Sequence, residues 1–146
     1  MTGRQSRSRR RFLKHTGVFL VTGLATSGSD NLISPDPHAI AAELIRLLHL
    51  RDQARRVGRS YLRANRSGEP DSVELLTREL LASLGLDVDH LGLVPADSLR
   101  EAVMEKVHKD YADERIAVVD DWLLSETEAR LCAILYLEAR DRPYLV

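Results

Sequence analysis

Residues 125 to 137 read Ser-Glu-Thr-Glu-Ala-Arg-Leu-Cys-Ala-Ile-Leu-Tyr-Leu. This stretch decides the fold class, because it announces a helix at both levels of pattern. Ser125 and Glu128 stand three apart, the spacing of a capping box. The Ser125 hydroxyl can take the amide of Glu128, and the Glu128 carboxylate can return to the amide of Ser125. Behind the box, Leu131, Ile134, Leu135 and Leu137 recur at helical steps. The helix ends near Arg140, and Pro143 prevents continuation. Upstream, Ile116-Ala117-Val118-Val119 has the β-branched bias of a short strand, Asp120-Asp121 makes a turn, and Trp122-Leu123-Leu124 pairs back or runs extended.

Working further towards the N-terminus, the chain reads as helices. A helix capped by Asp97 or Ser98 carries Leu99, Val103, Val107 and Tyr111 on its inner face. Residues 86 to 97 form a connection. Ser72 caps another helix, with Glu74 in its first turn and Gly85 as its stop. One long helix is expected from His38 to Ala64, with Ile40, Leu44, Leu47, Leu48, Ala54, Val57, Tyr61 and Leu62 inward. Its other face is basic: Arg46, Arg51, Arg55, Arg56, Arg59 and Arg63. The expected architecture is therefore mostly α, a small domain of about four helices with a short strand or hairpin before the last. It spans residues 38 to 146, behind a turn-rich linker over 28 to 37. No glycine-rich phosphate loop and no internal repeat is present.

The first 27 residues carry a different kind of information. Ser8-Arg9-Arg10-Arg11-Phe12-Leu13-Lys14 resembles the twin-arginine export signal of bacteria, with Ser8, Arg9, Arg10, Phe12, Leu13 and Lys14 at the pattern's positions. Six of the chain's basic residues lie in the first 14 positions, with no acid among them. Such a segment stays on the cytoplasmic side and is drawn to anionic head groups. The apolar run behind it, Gly17 to Ala25, is shorter than the roughly 20 residues of a spanning helix. Small residues at Gly23-Leu24-Ala25, Ala25-Thr26-Ser27 and Ala39-Ile40-Ala41 offer cleavage sites, and an uncleaved signal is also open. The bland alternative is a basic tail acting by charge alone, which would not require Phe12-Leu13. The resemblance implies recognition by the twin-arginine translocation machinery, a periplasmic or exported location, membrane contact through the signal only, and a cargo that folds before it crosses.

The segment Asp110 to Ala133 carries a second resemblance. Asp110-Tyr111, Arg115, Val119-Asp120-Asp121-Trp122 and Leu124-Ser125-Glu126-Thr127-Glu128-Ala129-Arg130-Leu131-Cys132-Ala133 resemble a pattern of small bacterial proteins that bear twin-arginine signals. Asp121 stands where that pattern has Gly, in a turn that calls for positive φ. Trp122, Ser125, Glu128 and Arg130 are the candidate anchors of the segment. Trp122 is either a core plug or an interface anchor. Arg130 could pair with Asp110 or Asp120.

Composition bounds the rest. The 146 residues carry a formal charge of −1, but setting aside the first 14 leaves 15 Lys and Arg against 22 Asp and Glu, or −7. An acidic domain is a poor nucleic-acid binder. The single cysteine, Cys132, excludes an intramolecular disulfide, a Cys-based zinc ribbon and an iron–sulfur cage. No histidine pair has metalloprotease spacing, and the loop Asp87-Val88-Asp89-His90 lacks a second ligand cluster. Charges such as Glu105 with Lys109 have the spacing of solvated helix pairs, and Glu101 with Lys106 is read as solvated pairing too. No catalytic, cofactor or metal residues are therefore expected. The functional expectation is a non-catalytic accessory or small subunit carried out with, or for, a periplasmic oxidoreductase. The alternative is a free-standing periplasmic helical module that binds a small molecule.

Overall fold

The computed structural model describes residues 15–16, 32–65, 70–86 and 93–144. The residues of the export signal, Ser8 to Lys14, and the loop Asp87 to His90 lie outside them. In chain order the elements are β1 (His15–Thr16), β2 (Leu32–Ile33), α1 (Pro37–Arg46), α2 (Arg51–Ala64), α3 (Val73–Ser83), β3 (Val94–Pro95), α4 (Ala96–Ala112), β4 (Ile116–Val119), β5 (Trp122–Ser125) and α5 (Glu126–Asp141). The mostly helical class with a hairpin before the last helix is what the structure has. Helix α5 is its hub, packed against α1, α2, α3, α4 and both hairpin strands. Ten of its residues are buried, which fits a helix whose middle, Leu131 to Leu137, is apolar on every side.

The long helix expected over 38 to 64 is instead two. It breaks at Leu47 to Leu50, and Leu50 adopts φ 50°, ψ 50°. The reason lies in the phase of the apolar stripe. At 3.6 residues per turn, the buried set Ile40, Ala41, Leu44 and Ile45 lies roughly 120° around the axis from Ala54, Val57, Gly58 and Tyr61. A single straight helix could not turn both sets into one core, so the chain bends between them. Leu50 takes the left-handed conformation with 59% of its surface exposed, so strain there is not offset by burial.

Two other boundaries shift. Helix α1 starts on Pro37, pre-set for the first helical position, with the Asp36 carboxylate accepting from the Ala39 amide at 3.1 Å. Helix α4 starts at Ala96, after Pro95, rather than behind Asp97 or Ser98. The short strand β2 falls within the expected linker and pairs antiparallel with β3. Helix α3 behaves as read: Ser72 caps it, and Gly85 at φ 75° ends it, with Leu86 N–H on the Leu81 carbonyl and Gly85 N–H on that of Ala82.

Strands β4 and β5 form an antiparallel hairpin with Val119 opposite Trp122 and Ala117 opposite Leu124. β1 runs parallel along the other side of β5, with His15 beside Trp122. The positive φ that the turn needs falls on Asp120, at 53°, and not on Asp121. Paired residues share a face. Trp122 therefore lies on the side of Val119 and buried Leu124, half-buried and packed against the core. Val118 and Leu123 take the outer side, and Val118 is 61% exposed.

The closest approach in the core is between α2 and α5. A Cβ built on Gly58 would come within 1.9 Å of the Cys132 carbonyl oxygen. Only glycine lets the two backbones meet there.

Two stability tests follow from these positions. Gly58→Ala gains up to about 1 kcal/mol of helix propensity, but the overlap is with backbone that cannot step aside. A net loss of about 1–3 kcal/mol is expected, seen as a lower Tm; an unchanged or higher Tm would place the helices further apart. Leu50→Gly relieves a left-handed conformation worth about 1–2 kcal/mol, less the added freedom of the unfolded chain. Chemical denaturation should show a gain of up to about 1 kcal/mol, and a loss would contradict the strain at Leu50.

Candidate functional site

The residues singled out between 110 and 130 converge on one place, the N-terminus of α5. A helix start leaves its first amides without intrahelical partners. Here each of the first three is taken by a different element. The Glu126 amide donates to the Arg115 carbonyl at 3.0 Å. The Thr127 amide donates to Asp110 Oδ2 at 3.0 Å. The Glu128 amide donates to Ser125 Oγ at 3.1 Å. The expected capping box is present, with the Ser125 amide on Glu128 Oε2 at 3.0 Å.

Asp110 is the centre of the arrangement. It is wholly buried at the end of α4, where a bare carboxylate would be costly. Its Oδ2 accepts from the Thr127 hydroxyl at 2.6 Å as well as from the amide, and its Oδ1 pairs with Arg115 Nη2 at 2.8 Å and with Lys106 Nζ. Burial pushes the Asp110 carboxyl up. The hydrogen bonds from Lys106 and Thr127, with the Lys106 charge, outweigh that and hold it below the usual carboxylate range.

The turn that delivers Arg115 is itself capped. The Arg115 amide returns to the Asp110 carbonyl at 2.8 Å and the Glu114 amide to that of Tyr111 at 3.3 Å, with Glu114 at φ 55°. Beside it, the Tyr111 hydroxyl donates to Glu128 Oε2 at 2.7 Å, and Ser125 Oγ donates to the same oxygen at 3.0 Å. Burial and then the Glu128 carboxylate push the Tyr111 hydroxyl far up. The same two causes raise the Cys132 thiol, which is completely buried one turn along α5. A thiol so placed is a poor nucleophile.

Of the four candidate anchors, Ser125 and Glu128 are brought together and Trp122 stands close by in chain and space. Arg130 Nη2 lies 3.0 Å from Glu126 Oε1, one turn back. Lys106 turns towards Asp110, four residues on, rather than towards Glu101. The pattern Asp-Tyr, Arg, Ser-x-Thr-Glu is thus a clasp that joins the end of α4, the entry to β4 and the start of α5. Among the described residues, no group of three or more His, Cys, Asp or Glu is placed to hold a metal ion.

A second polar constellation was not foreseen. Where α1, the start of α2 and the end of α5 meet, a pocket of about 320 Å³ is lined by His38, Arg46, Arg51, Glu138 and Arg142, with Ala42 and Ile45 as its apolar wall. Glu138 is buried, and its Oε1 lies 2.8 Å from His38 Nδ1. Its members come from three segments up to a hundred residues apart, and only the basic stripe holding Arg46 and Arg51 was visible in the sequence.

Comparison with family models, with curated proteins and with solved structures finds no match to this chain.

The clasp makes a pH test. A carboxyl whose folded-state pKa lies below its unfolded value contributes stability that is complete above the unfolded range, about 4, and is lost as pH falls through the folded value. Asp110→Asn should cost about 2–3 kcal/mol at pH 7, less than a fully buried pair because Arg115 is half open to solvent. It should also flatten the fall of stability between about pH 5 and pH 2. Denaturation curves over that range check both, and an acid limb as steep as that of the unaltered protein would remove Asp110 from this role.

Proposed function

We propose that this chain is a non-catalytic small subunit that folds in the cytoplasm and is carried across the membrane by the twin-arginine route, with or for a periplasmic oxidoreductase. The observation that carries this reading is Ser8-Arg9-Arg10-Arg11-Phe12-Leu13-Lys14, an arrangement more specific than its charge. The route takes folded cargo. A domain whose final helix is capped by its own neighbours, with no disulfide to await, suits that requirement. The outer side of the hairpin supports an interface, since exposed Val118 and partly exposed Leu123 stand side by side there. Trp122, on the inner side, serves to seat that surface on the core.

The test is fractionation of the full chain in a bacterium with an active twin-arginine system. Arg9 and Arg10 changed together to Lys keep the charge and lose the planar fork. The variant should accumulate in the cytoplasm, folded by circular dichroism, while the unaltered chain reaches the periplasm. Val118→Lys should still be exported but no longer elute in a fixed ratio with a larger protein. Ordinary periplasmic levels of the double variant would sink the export reading.

A further inference from the structure

We propose that the pocket between α1, α2 and α5 is a binding site for a small dianion, specifically a phosphate monoester. Three arginines, Arg46, Arg51 and Arg142, line it against one acid, Glu138. That carboxylate is only 8% exposed and is engaged by His38, so it is set back in the wall. The other acid at this end of α5, Asp141, faces His38 but is held by Arg140 at 2.7 and 3.2 Å. Arg46 leans on Glu43 at 3.1 Å with most of its side chain open to solvent. Arg51 and Arg142 have no ion-pair partner among the described residues. In a domain that is acidic as a whole, this corner keeps a surplus of one positive charge, three arginines against Glu138 and Glu43, before His38 is counted.

The chemistry of guanidinium selects the ligand. Its planar fork matches the oxygens of phosphate or carboxylate with paired, charge-assisted hydrogen bonds. A phosphate monoester concentrates close to two negative charges on three oxygens, so several arginines can share one group. Two separated carboxylates would need a wider spread of donors. Ala42 and Ile45 give the esterified carbon skeleton an apolar wall. The volume lies at the low end of small-molecule sites, about 300–1,000 Å³, which excludes a dinucleotide. His38 is positioned by Glu138, so a second role for its ring is orientation of the bound phosphate. Cleavage at Gly23-Leu24-Ala25 or at Ala25-Thr26-Ser27 leaves every lining residue in place, so the site does not depend on the route proposed above.

Phenyl phosphate is the probe, titrated calorimetrically into the full chain at physiological salt. One saturable site of submillimolar Kd is expected. Arg51→Gln and Arg142→Gln should each weaken it at least tenfold, and the pair together should abolish it. Arg63→Gln, on the exposed basic face of α2 away from the pocket, should leave Kd unchanged. Circular dichroism should show each of these variants folded. The absence of saturable binding at millimolar probe would overturn the proposal. So would an equal loss in Arg63→Gln, which signals diffuse attraction to a cationic helix. Tenfold tighter binding of succinate than of phenyl phosphate would overturn the ligand class. None of these outcomes bears on export, which Arg9 and Arg10 decide.

Discussion

The buried carboxylate of Asp110 is the constraint on which the remaining structure hangs. A charge with no access to solvent is tolerated only when donors surround it, and the donors here are drawn from three elements: Lys106 within α4, Arg115 at the entry to the hairpin and Thr127 at the start of α5. Satisfying Asp110 therefore fixes where α4 ends, where the hairpin departs and how α5 begins. Since α5 touches every other helix, its starting point sets the frame for α1, α2 and α3 as well. The remaining amides of the first turn are consumed by Arg115 and Ser125, so the end of the central helix is closed without water or ligand.

This gives the second resemblance a physical content. The residues that make the segment distinctive, Asp110, Tyr111, Arg115, Ser125, Thr127 and Glu128, are occupied with one another. A pattern of this density invites a functional interpretation, and the bonding here meets a structural need first. Polar residues with unshared charge gather at the opposite end of α5, around His38 and Arg142, where no motif drew attention to them.

How much was legible follows the range of each interaction. The capping box at Ser125 and Glu128 and the Gly85 stop are written in neighbouring residues, and both stand as read. The hairpin was legible from its β-branched run and its Asp-Asp turn, although the strained backbone fell on Asp120. The break after Arg46 was recorded in the sequence too, as a jump in the phase of the apolar stripe. Spacing alone did not reveal it, because Leu47 and Leu48 bridge the two phases. Lys106 had more than one acid within reach, and spacing alone did not pick out the buried Asp110. The pocket was beyond reading, since His38 and Glu138 meet only after the helices have packed. Nothing in the spacing singled out Gly58, whose role appears only once the Cys132 carbonyl is packed against it.

That contact has a mechanical consequence. Two helices whose backbones touch through a missing side chain cannot slide past one another, because any shift along the axis drives a neighbouring Cβ into the opposing carbonyl. α2 and α5 accordingly behave as one stiff body. α1 meets that body at the strained Leu50 corner and along its own contacts with α5. The pocket straddles the same seam, with His38, Ala42, Ile45 and Arg46 on the α1 side and Arg51, Glu138 and Arg142 on the side of α2 and α5. A guest bridging the two sides would act as a latch across the Leu50 corner, holding α1 to both of the other helices at once.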